Sequence, residues 1–318
     1  MIMTEKRLII IVIAVVVAFV AVFGLFLVAL FQVRNVADVG EVSGGEPPPE
    51  TSPAEITTQP PHEEPPEIIW PNAEEIEALE EFLSGLPYPV SVYYYNLDTG
   101  FNFGFRQDEV YFAASLNKAS NAFYIYYLAE RGLANLDRRH TFRASDWVGG
   151  TGVIRHLYSF GRAFSHWELL RHSVRDSDNI AFGILDSFYA EYNPSYREFS
   201  QGLDRDLSLL GTARTHSVTA AEMGLLLRHI HEFFESDSIY ARHFQYSMFH
   251  SDVPMIVADY PVAQKYGHWD GAFHDMAIVY APSPYILVIL SDLDREAPFH
   301  IFEEISIIFQ EFNNRHFR

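Results

Sequence analysis

Cysteine is missing from this chain of 318 residues, and basic side chains are scarce. Without thiols the chain has no disulfides, no thiolate metal sites and no cysteine nucleophile. Lys and Arg number 22 against 42 Asp and Glu, which gives a formal net charge of −20. Nucleic acids are bound mainly through Lys and Arg that neutralise phosphate. The charge balance therefore argues against a nucleic-acid partner. The hydrophobic fraction of 48% is ample for the core of one large domain or two ordinary ones.

An apolar run without any charged residue covers residues 8–31. It is long enough to cross a bilayer as one helix and longer than the apolar part of a signal peptide. Lys6 and Arg7 precede the run, so the positive-inside rule places residues 1–7 in the cytoplasm and the rest of the chain outside. We predict an uncleaved, single-pass anchor in the cell membrane. A cleaved signal peptide and a buried core helix are the alternatives.

Residues 32–70 are rich in proline and glutamate, as in Glu46-Pro47-Pro48-Pro49-Glu50. Such segments bury too little apolar surface to fold, and they stay extended and disordered. We interpret this segment as a spacer that holds a folded domain away from the membrane. A Pro-rich ligand for a partner domain is the alternative, which the many glutamates and the lack of a basic flank disfavour.

Hydrophobic periodicity predicts one folded domain over residues 71–318. Asn72 and Glu75 fit a capping box that opens the first helix. The predicted strands cover residues 89–96, 101–105, 261–267, 276–280 and 285–290, helical patterns fill 134–260, and a last amphipathic helix covers 298–312. This order predicts an α/β (α+β) fold. A five-stranded antiparallel sheet is flanked by the N- and C-terminal helices, with a helical subdomain against it and a site in the cleft between the two.

Ser115 and Lys118 stand three residues apart at the start of an apolar helix that we expect to end near Gly132. Residues at this spacing share a helix face. A serine hydroxyl becomes a good nucleophile when a base takes its proton, and a lysine serves as that base when its pKa is lowered. Unpaired N–H groups at a helix start also favour the anion that forms when a carbonyl is attacked. Taken alone, Ser-x-x-Lys is more often an ordinary helix start with a solvated lysine.

Two further short motifs follow in the chain. Ser177-Asp178-Asn179 precedes an apolar run, which is typical of a loop and helix cap. Lys265-Tyr266-Gly267 ends a predicted strand, where glycine permits close approach of a ligand to the backbone. Neither motif is informative by itself.

Other patterns are weaker. His229-Ile230-His231 lacks the His-Glu-x-x-His spacing of a helical zinc site, so we interpret it as a solvated helix edge. Gly149-Gly150-Thr151-Gly152 lacks the Lys-Ser/Thr that completes a phosphate loop, and a turn is the simpler interpretation. His274 lies near the third motif, where contact with a substrate carboxylate and a supporting role in the core are equally open.

In this order the three motifs resemble the signature of class A β-lactamases and penicillin-binding serine peptidases. Residues 112–118 look like the nucleophile helix of that family, and residues 265–279 look like its third motif and following strand. The resemblance covers roughly residues 71–318. The predicted layout, with sheet strands at both ends of the domain and helices between, agrees with the fold of that family.

The resemblance implies a role for each motif residue. Ser115 is the acylated nucleophile, Lys118 is its base, and Ser177 relays a proton to the leaving nitrogen. Asn179 holds the amide side chain of the substrate and Lys118, and Lys265 supplies positive charge near Ser177 and the substrate carboxylate. The backbone N–H groups of Ser115 and His268 form the oxyanion hole, and Tyr266 and Gly267 complete the substrate-binding strand. The family uses neither a metal nor an organic cofactor, so we expect none here.

Two departures from the family pattern stand out. Tyr266 occupies the middle of the third motif, where the family usually has a Thr or Ser hydroxyl for the substrate carboxylate. The Glu-x-x-Leu-Asn string, whose glutamate activates the deacylating water in class A β-lactamases, is absent between Asn179 and Lys265. Glu198, Asp204 and Asp206 lie in this region, but none of them has that context. We therefore expect weakened recognition of the substrate carboxylate and slow deacylation.

These observations together predict a membrane-anchored, extracytoplasmic serine hydrolase that opens a β-lactam or related amide through an acyl-Ser115 intermediate. The closest alternative is a penicillin-binding D,D-peptidase acting on small substrates derived from peptidoglycan. A wall-binding or penicillin-sensing module without turnover is the third. The cytoplasmic segment is too short for a signalling domain, which argues against sensing, and every residue type needed for acylation is present, which argues against an inactive module.

Overall fold

The computed structural model describes residues 68–189, 217–292 and 299–317, together with Gly202. The predicted cytoplasmic N-terminus, the membrane anchor and nearly all of the spacer lie outside the described residues. Within the described part of the chain, none of the helices combines the length and apolar character needed to cross a membrane.

The described residues contain eight α-helices and nine strands. The helices are α1 Ala73–Gly85, α2 Asn117–Glu130, α3 Ile154–Leu157, α4 His166–Arg175, α5 Asn179–Phe188, α6 Ala220–Phe234, α7 Ile239–Phe249 and α8 His300–His316. The strands are β1 Val90–Asn96, β2 Asn102–Phe105, β3 Tyr111–Phe112, β4 Arg139–Thr141, β5 Ala163–Ser165, β6 Ser217–Val218, β7 Val262–Trp269, β8 Ala272–Val279 and β9 Tyr285–Ser291. Short 3-10 turns cover Ala114–Leu116 and Ala144–Asp146.

The main sheet has five strands in the order β2-β1-β9-β8-β7. All neighbouring strands are antiparallel, and β1 from the start of the domain pairs with β9 from its end. The predicted five-stranded antiparallel sheet is thus confirmed. This order leaves β7, the strand that carries Lys265, at the edge of the sheet.

The strand bounds differ from the prediction at the β7–β8 hairpin. The motif of Lys265 lies within an eight-residue strand rather than at its end, because β7 continues to Trp269. Asp270 and Gly271 turn the chain with φ angles of 24° and 85°, and β8 begins at once with Ala272. The two-stranded pairs β3–β6 and β4–β5 were not predicted, since strands of two or three residues are too short to show alternation.

Two hydrophobic cores lie on the two faces of the sheet. Alternate residues of a strand point to opposite faces, and β9 shows this clearly because all seven of its residues are buried. Ile286 and Val288 belong to the core that contains α2, α4 and α6. Leu287 and Ile289 belong to the core that contains α1 and α8. The terminal helices therefore cover one face, and the helical subdomain packs on the other.

Candidate active site

The predicted nucleophile lies where the 3-10 turn meets α2. Ser115 is the middle residue of the turn and is half-buried, and α2 begins two residues later at Asn117. Ala114, immediately before it, has a φ of 46°. A non-glycine residue in this left-handed region is strained and persists only where the surroundings hold it. The chain thus departs from regular structure at the residue before Ser115.

Two strands of the sheet hold this turn in place. Gly267 of β7 packs so closely that an added Cβ would lie 3.0 Å from the Ala113 carbonyl oxygen and 3.1 Å from Leu116 Cγ. On β8, His274 Nε2 lies 2.8 Å from the Phe112 carbonyl oxygen. The glycine of the third motif therefore makes room for the nucleophile turn itself.

Lys118 is buried in the first turn of α2, with 2% of its surface exposed. Its Nζ donates to the Ser177 carbonyl oxygen, to Ser177 Oγ at 3.2 Å and to Asn179 Oδ1 at 2.7 Å. Burial holds the pKa of Lys118 well below its ordinary value, and the charge of Lys265 lowers this pKa further. The lysine of Ser-x-x-Lys is therefore not a solvated side chain.

Lys265 is fully buried on the edge strand β7. Its Nζ donates to Ser177 Oγ at 2.9 Å and to the Tyr266 carbonyl oxygen at 2.7 Å. Burial lowers the pKa of Lys265 to about 7, although the charges of Asp252 and Asp275 act in the opposite direction. The structure thus brings Lys118, Ser177, Asn179 and Lys265 together, four of the residues predicted for the site.

The turn that carries Ser177 is fixed by the side chain of Asp178. Asp178 caps α5 by accepting from the N–H groups of Ile180 and Ala181, both at 2.9 Å. Its second oxygen accepts from the Ile154 N–H at 2.7 Å and so ties α3 to the same turn. Ser177 itself has a φ of 46°. The middle residue of the motif therefore shapes the turn, and its two neighbours face the lysines.

The glycine-rich segment 149–152, predicted to be an ordinary turn, forms a cradle for this motif. The Gly149 carbonyl oxygen accepts from Asn179 Nδ2 at 2.9 Å, and Thr151 Oγ1 donates to the Ser177 carbonyl oxygen at 2.7 Å. A Cβ added at Gly150 would lie 2.2 Å from Asn179 Nδ2. Sequence reasoning missed this role. The signal was the three glycines in four residues, which mark close approach of another segment.

Tyr266, which replaces the hydroxyl residue of the family motif, is 5% exposed. The Nζ of Lys265 lies 4.2 Å from the centre of its ring. Burial raises the pKa of Tyr266 to about 12, the charge of Asp252 adds to the rise, and a hydrogen bond with the Ser177 side chain opposes it. The neutral phenol is therefore part of the surroundings of Ser177.

His268 follows on the same strand, and its side chain faces away from the helical subdomain. Its ring packs edge-on against Phe273 with 5.0 Å between the ring centres. The role predicted for His268 uses the backbone N–H. Because β7 is an edge strand, alternate N–H groups along it point away from the sheet, which is the arrangement that an oxyanion hole on this strand requires.

Two acidic residues near the lysines gave no sequence signal. Asp176 accepts from Arg175 at 2.8 and 3.2 Å, and its Oδ2 lies 2.6 Å from His172 Nδ1. The N–H of Asp252 donates to the Arg175 carbonyl oxygen at 2.9 Å. Asp252 is exposed. Neighbouring protein atoms still raise the pKa of Asp252 by withdrawing solvent, and the charge of Lys265 opposes this rise.

The acidic candidates for activating water, Glu198, Asp204 and Asp206, lie outside the described residues. Among the residues that are described, no group of three His, Asp or Glu side chains is arranged to hold a metal ion. In the His229-Ile230-His231 pattern, His229 Nδ1 lies 3.2 Å from Glu232 Oε2 of the same helix.

The family model of the beta-lactamase enzyme family matches residues 73–309. The chain belongs to this family. It is a serine hydrolase of the β-lactamase type, and the resemblance seen in its three motifs is confirmed. The match covers almost the whole domain predicted from the sequence. No curated protein sequence matches this member of the family.

Solved structures of the same fold agree with this assignment. A variant of the penicillin-binding protein PBP-A, solved as an acyl-enzyme complex with penicillin G, is 17% identical, covers 76% of this chain and 97% of its own, and has a TM-score of 0.65. A β-lactamase from Chitinophaga pinensis is 20% identical, covers 76% and 100%, and has a TM-score of 0.64. A reconstructed ancestral class A β-lactamase of Gram-negative bacteria is 21% identical, covers 76% and 99%, and has a TM-score of 0.64. At these identities the likeness shows the fold alone.

Proposed function

We propose that this member of the family opens a β-lactam or a related amide through an acyl-Ser115 intermediate. The observation that carries the proposal is the position of the Ser177 hydroxyl between two buried lysines, 3.2 Å from Lys118 Nζ and 2.9 Å from Lys265 Nζ. Burying a lysine charge without a partner costs free energy. Two buried lysines around one hydroxyl are therefore typical of a functional site, where they support proton transfer.

In the acylation step, Lys118 acts as the base for Ser115. Burial and the charge of Lys265 both favour its neutral amine. The neutral amine keeps two N–H groups for two of its three oxygen partners, and its lone pair is available to accept the Ser115 proton. The Ser115 oxygen then attacks the carbonyl carbon, and the proton passes to Lys118. N–H groups at the start of α2 and on the edge of β7 stabilise the oxyanion.

In the collapse of the tetrahedral intermediate, Ser177 carries the proton to the leaving nitrogen. Its hydroxyl accepts from Lys265 and lies within hydrogen-bond distance of Lys118. The Ser177 proton moves to the nitrogen as the C–N bond breaks, and Lys118 returns a proton to Ser177. Lys265 holds the Ser177 oxygen in place and stabilises the negative charge that develops there.

Deacylation is the slow step in this proposal. The chain lacks the Glu-x-x-Leu-Asn string whose glutamate activates water in class A β-lactamases. An acyl-enzyme persists when no base near the ester takes the proton of the attacking water. The PBP-A variant with the same fold was solved as such an acyl-enzyme with penicillin G. By analogy in fold, we expect the ester of Ser115 to accumulate.

Stopped-flow hydrolysis of the chromogenic cephalosporin nitrocefin tests the proposal. We expect a burst of one equivalent, followed by slow turnover. Ser115→Ala should abolish the burst. Ser120→Ala, on the same helix and bonded only to the Asn117 carbonyl oxygen in the described contacts, should retain it. Fast steady turnover without a burst would contradict slow deacylation, and an intact burst in Ser115→Ala would place the nucleophile elsewhere.

A D,D-peptidase is the second candidate, and the missing glutamate favours it. Both activities share acylation of Ser115 and differ in what removes the acyl group. We expect a peptidase to release D-alanine from a peptide ending in D-Ala-D-Ala faster than it completes nitrocefin hydrolysis. The opposite order of turnover rates assigns the protein to β-lactam hydrolysis.

For the N-terminal part of the chain we propose a membrane anchor over residues 8–31, with the catalytic domain outside the cell. The support is the length of the uncharged apolar run and the basic residues Lys6 and Arg7 before it. Protease added to intact spheroplasts should remove the domain. Protection of the domain from that protease would contradict this topology.

A further inference from the structure

The charged side chains around the Ser177 end of the site do not give it an excess of positive charge. Two cations lie there, Lys265 and Arg175, beside the base Lys118. Three carboxylates accompany them: Asp176, Asp178 and Asp252. Asp178 and Asp252 both act on the charge of Lys118, and Asp252 is the strongest charge acting on Lys265. A substrate carboxylate approaching this end therefore meets a surrounding without excess positive charge.

The cations are also committed to partners within the protein. Lys265 is fully buried and donates to Ser177 Oγ and to the Tyr266 carbonyl oxygen. Arg175 donates two hydrogen bonds to Asp176, at 2.8 and 3.2 Å. Because Lys265 has no exposed surface, a carboxylate ligand would have to open this packing to reach its remaining N–H group.

Tyr266 stands where the family motif has a small hydroxyl residue. Its side chain is 5% exposed and lies against the ammonium group of Lys265, 4.2 Å from the ring centre. The aromatic ring therefore covers the cation that would otherwise attract a carboxylate. The phenol hydroxyl is already hydrogen bonded to the Ser177 side chain.

Asp252 adds a like charge at the same end. Its backbone is held by the hydrogen bond to the Arg175 carbonyl oxygen, two residues before Ser177. The side chain is exposed, and it acts electrostatically on Lys265 and Tyr266. Like charges placed at a binding site reject the wrong ligand.

We propose that the site reacts faster with amides or esters whose leaving side carries no carboxylate than with matched substrates that carry one, and that Tyr266 and Asp252 are the residues that set this preference. The inference rests on the proposed acylation of Ser115 and names its substrate class. The geometry that supports it is the ring of Tyr266 against the ammonium group of Lys265, together with the exposed carboxylate of Asp252, whose backbone is bonded to Arg175 and whose charge acts on both groups.

Benzylpenicillin and its methyl ester form the test pair, since they share the reactive ring and differ only in the carboxylate. The rate of Ser115 adduct formation is measured for the full chain by quenched mass spectrometry. We expect the ester to react about tenfold faster, a difference of about 1.4 kcal/mol in the barrier. Asp252→Asn and Tyr266→Thr should each reduce this ratio at least about threefold, and salt should reduce the part due to Asp252 by screening.

Glu304→Gln is the matched control, because it also removes one negative charge but lies exposed on α8. The ester preference should be unchanged in this variant. Faster reaction of benzylpenicillin with the wild type, or an unchanged ratio in both Asp252→Asn and Tyr266→Thr, would overturn the inference. A fluorophosphonate probe distinguishes failure of the preference from failure of the proposed function. If the probe labels Ser115 while neither penicillin does, the preference is wrong. If the probe also fails to label Ser115, the proposed acylation of Ser115 is wrong.

Discussion

Lys118 and Lys265 approach the same atom, the Ser177 hydroxyl oxygen, at 3.2 and 2.9 Å. Both ammonium groups are buried, and the charge of Lys265 helps to hold the pKa of Lys118 below its ordinary value. The two lysines are 147 positions apart in the chain, as their numbers 118 and 265 show. Their meeting follows from the packing of the edge strand β7 on the turn that opens α2.

The pH dependence of acylation should be bell-shaped. A lysine is charged below its pKa and neutral above it, so low pH removes the base by protonating Lys118. Above about pH 7 Lys265 loses its charge, which removes the cation next to Ser177. We expect the rate of Ser115 labelling to fall on both sides, with the descending limb near pH 7.

Lys265→Arg tests the assignment of the descending limb. Arginine stays charged across this range, so the descending limb should disappear even if the maximal rate is lower. Labelling by a fluorophosphonate from pH 5 to 10 gives both profiles. An unchanged descending limb in Lys265→Arg would assign that limb to another group.

Gly267→Ala should slow acylation without unfolding the protein. The added Cβ would lie 3.0 Å from the Ala113 carbonyl oxygen and 3.1 Å from Leu116 Cγ, so the nucleophile turn has to shift. Displacement of a reacting group by a fraction of an ångström is enough to reduce the rate about tenfold or more. The measurement is the labelling rate of Ser115 together with the thermal midpoint.

Gly183→Ala is the control for this substitution. Gly183 lies within α5, and a Cβ there would have no neighbour within 4 Å. Alanine should stabilise the helix by roughly 0.5 to 1 kcal/mol and leave labelling unchanged. Equal labelling rates for Gly267→Ala and wild type would show that the close packing is unimportant for the chemistry.

His274 should act as a positioning residue for the nucleophile turn. Its Nδ1 accepts from the Ser291 N–H at 3.1 Å, so the proton resides on Nε2, which donates to the Phe112 carbonyl oxygen at 2.8 Å. Burial lowers the pKa of His274 to about 4, which keeps this neutral tautomer at physiological pH. Loss of the pair of hydrogen bonds should loosen the residues before Ser115.

We expect His274→Leu to reduce the labelling rate about tenfold and His274→Gln, which retains a donor and an acceptor, to recover part of it. The affinity for a non-reactive ligand should change less than the labelling rate. His243→Gln is the comparison, because His243 is a half-buried histidine bonded to Tyr126 in the helical subdomain. A loss of thermal stability with an unchanged labelling rate would make His274 a residue of the core alone.

Thr151→Val should impair the turn that carries Ser177. The Thr151 hydroxyl donates to the Ser177 carbonyl oxygen at 2.7 Å, and valine has nearly the same shape without the donor. The expected effect is a lower labelling rate that Thr151→Ser restores. If valine and serine behave alike, the hydrogen bond has no part in positioning Ser177.

The sequence predicted the sheet because β1 and β2 alternate around a turn that ends in Gly100, and because β9 is a short run of apolar residues. It also singled out Ser115, Lys118, Ser177 and Lys265 as candidates, since the order of three short motifs is informative even when each is not. It did not reveal the cradle around Thr151 or the place of Asp252. Such contacts join distant segments through backbone atoms, as in the bond between Thr151 and Ser177. The three glycines of segment 149–152 indicate that another segment comes close, but residue types do not show which one.

Gly267 shows the same limit within a motif that was recognised. The sequence predicted that a glycine there lets a ligand approach the strand. The structure shows that the nearest atoms belong to Ala113 and Leu116. Close approach of another group explains why residue 267 is glycine, but the folded structure is needed to show which group approaches.

Tandem mass spectrometry of the protein after brief exposure to the methyl ester of benzylpenicillin tests the central claim most directly. The account predicts one adduct on the peptide that contains Ser115, formed at least about a hundredfold more slowly in Lys118→Met because the base is lost. An adduct on another residue, or an equal rate of formation at Ser115 in Lys118→Met, would contradict it.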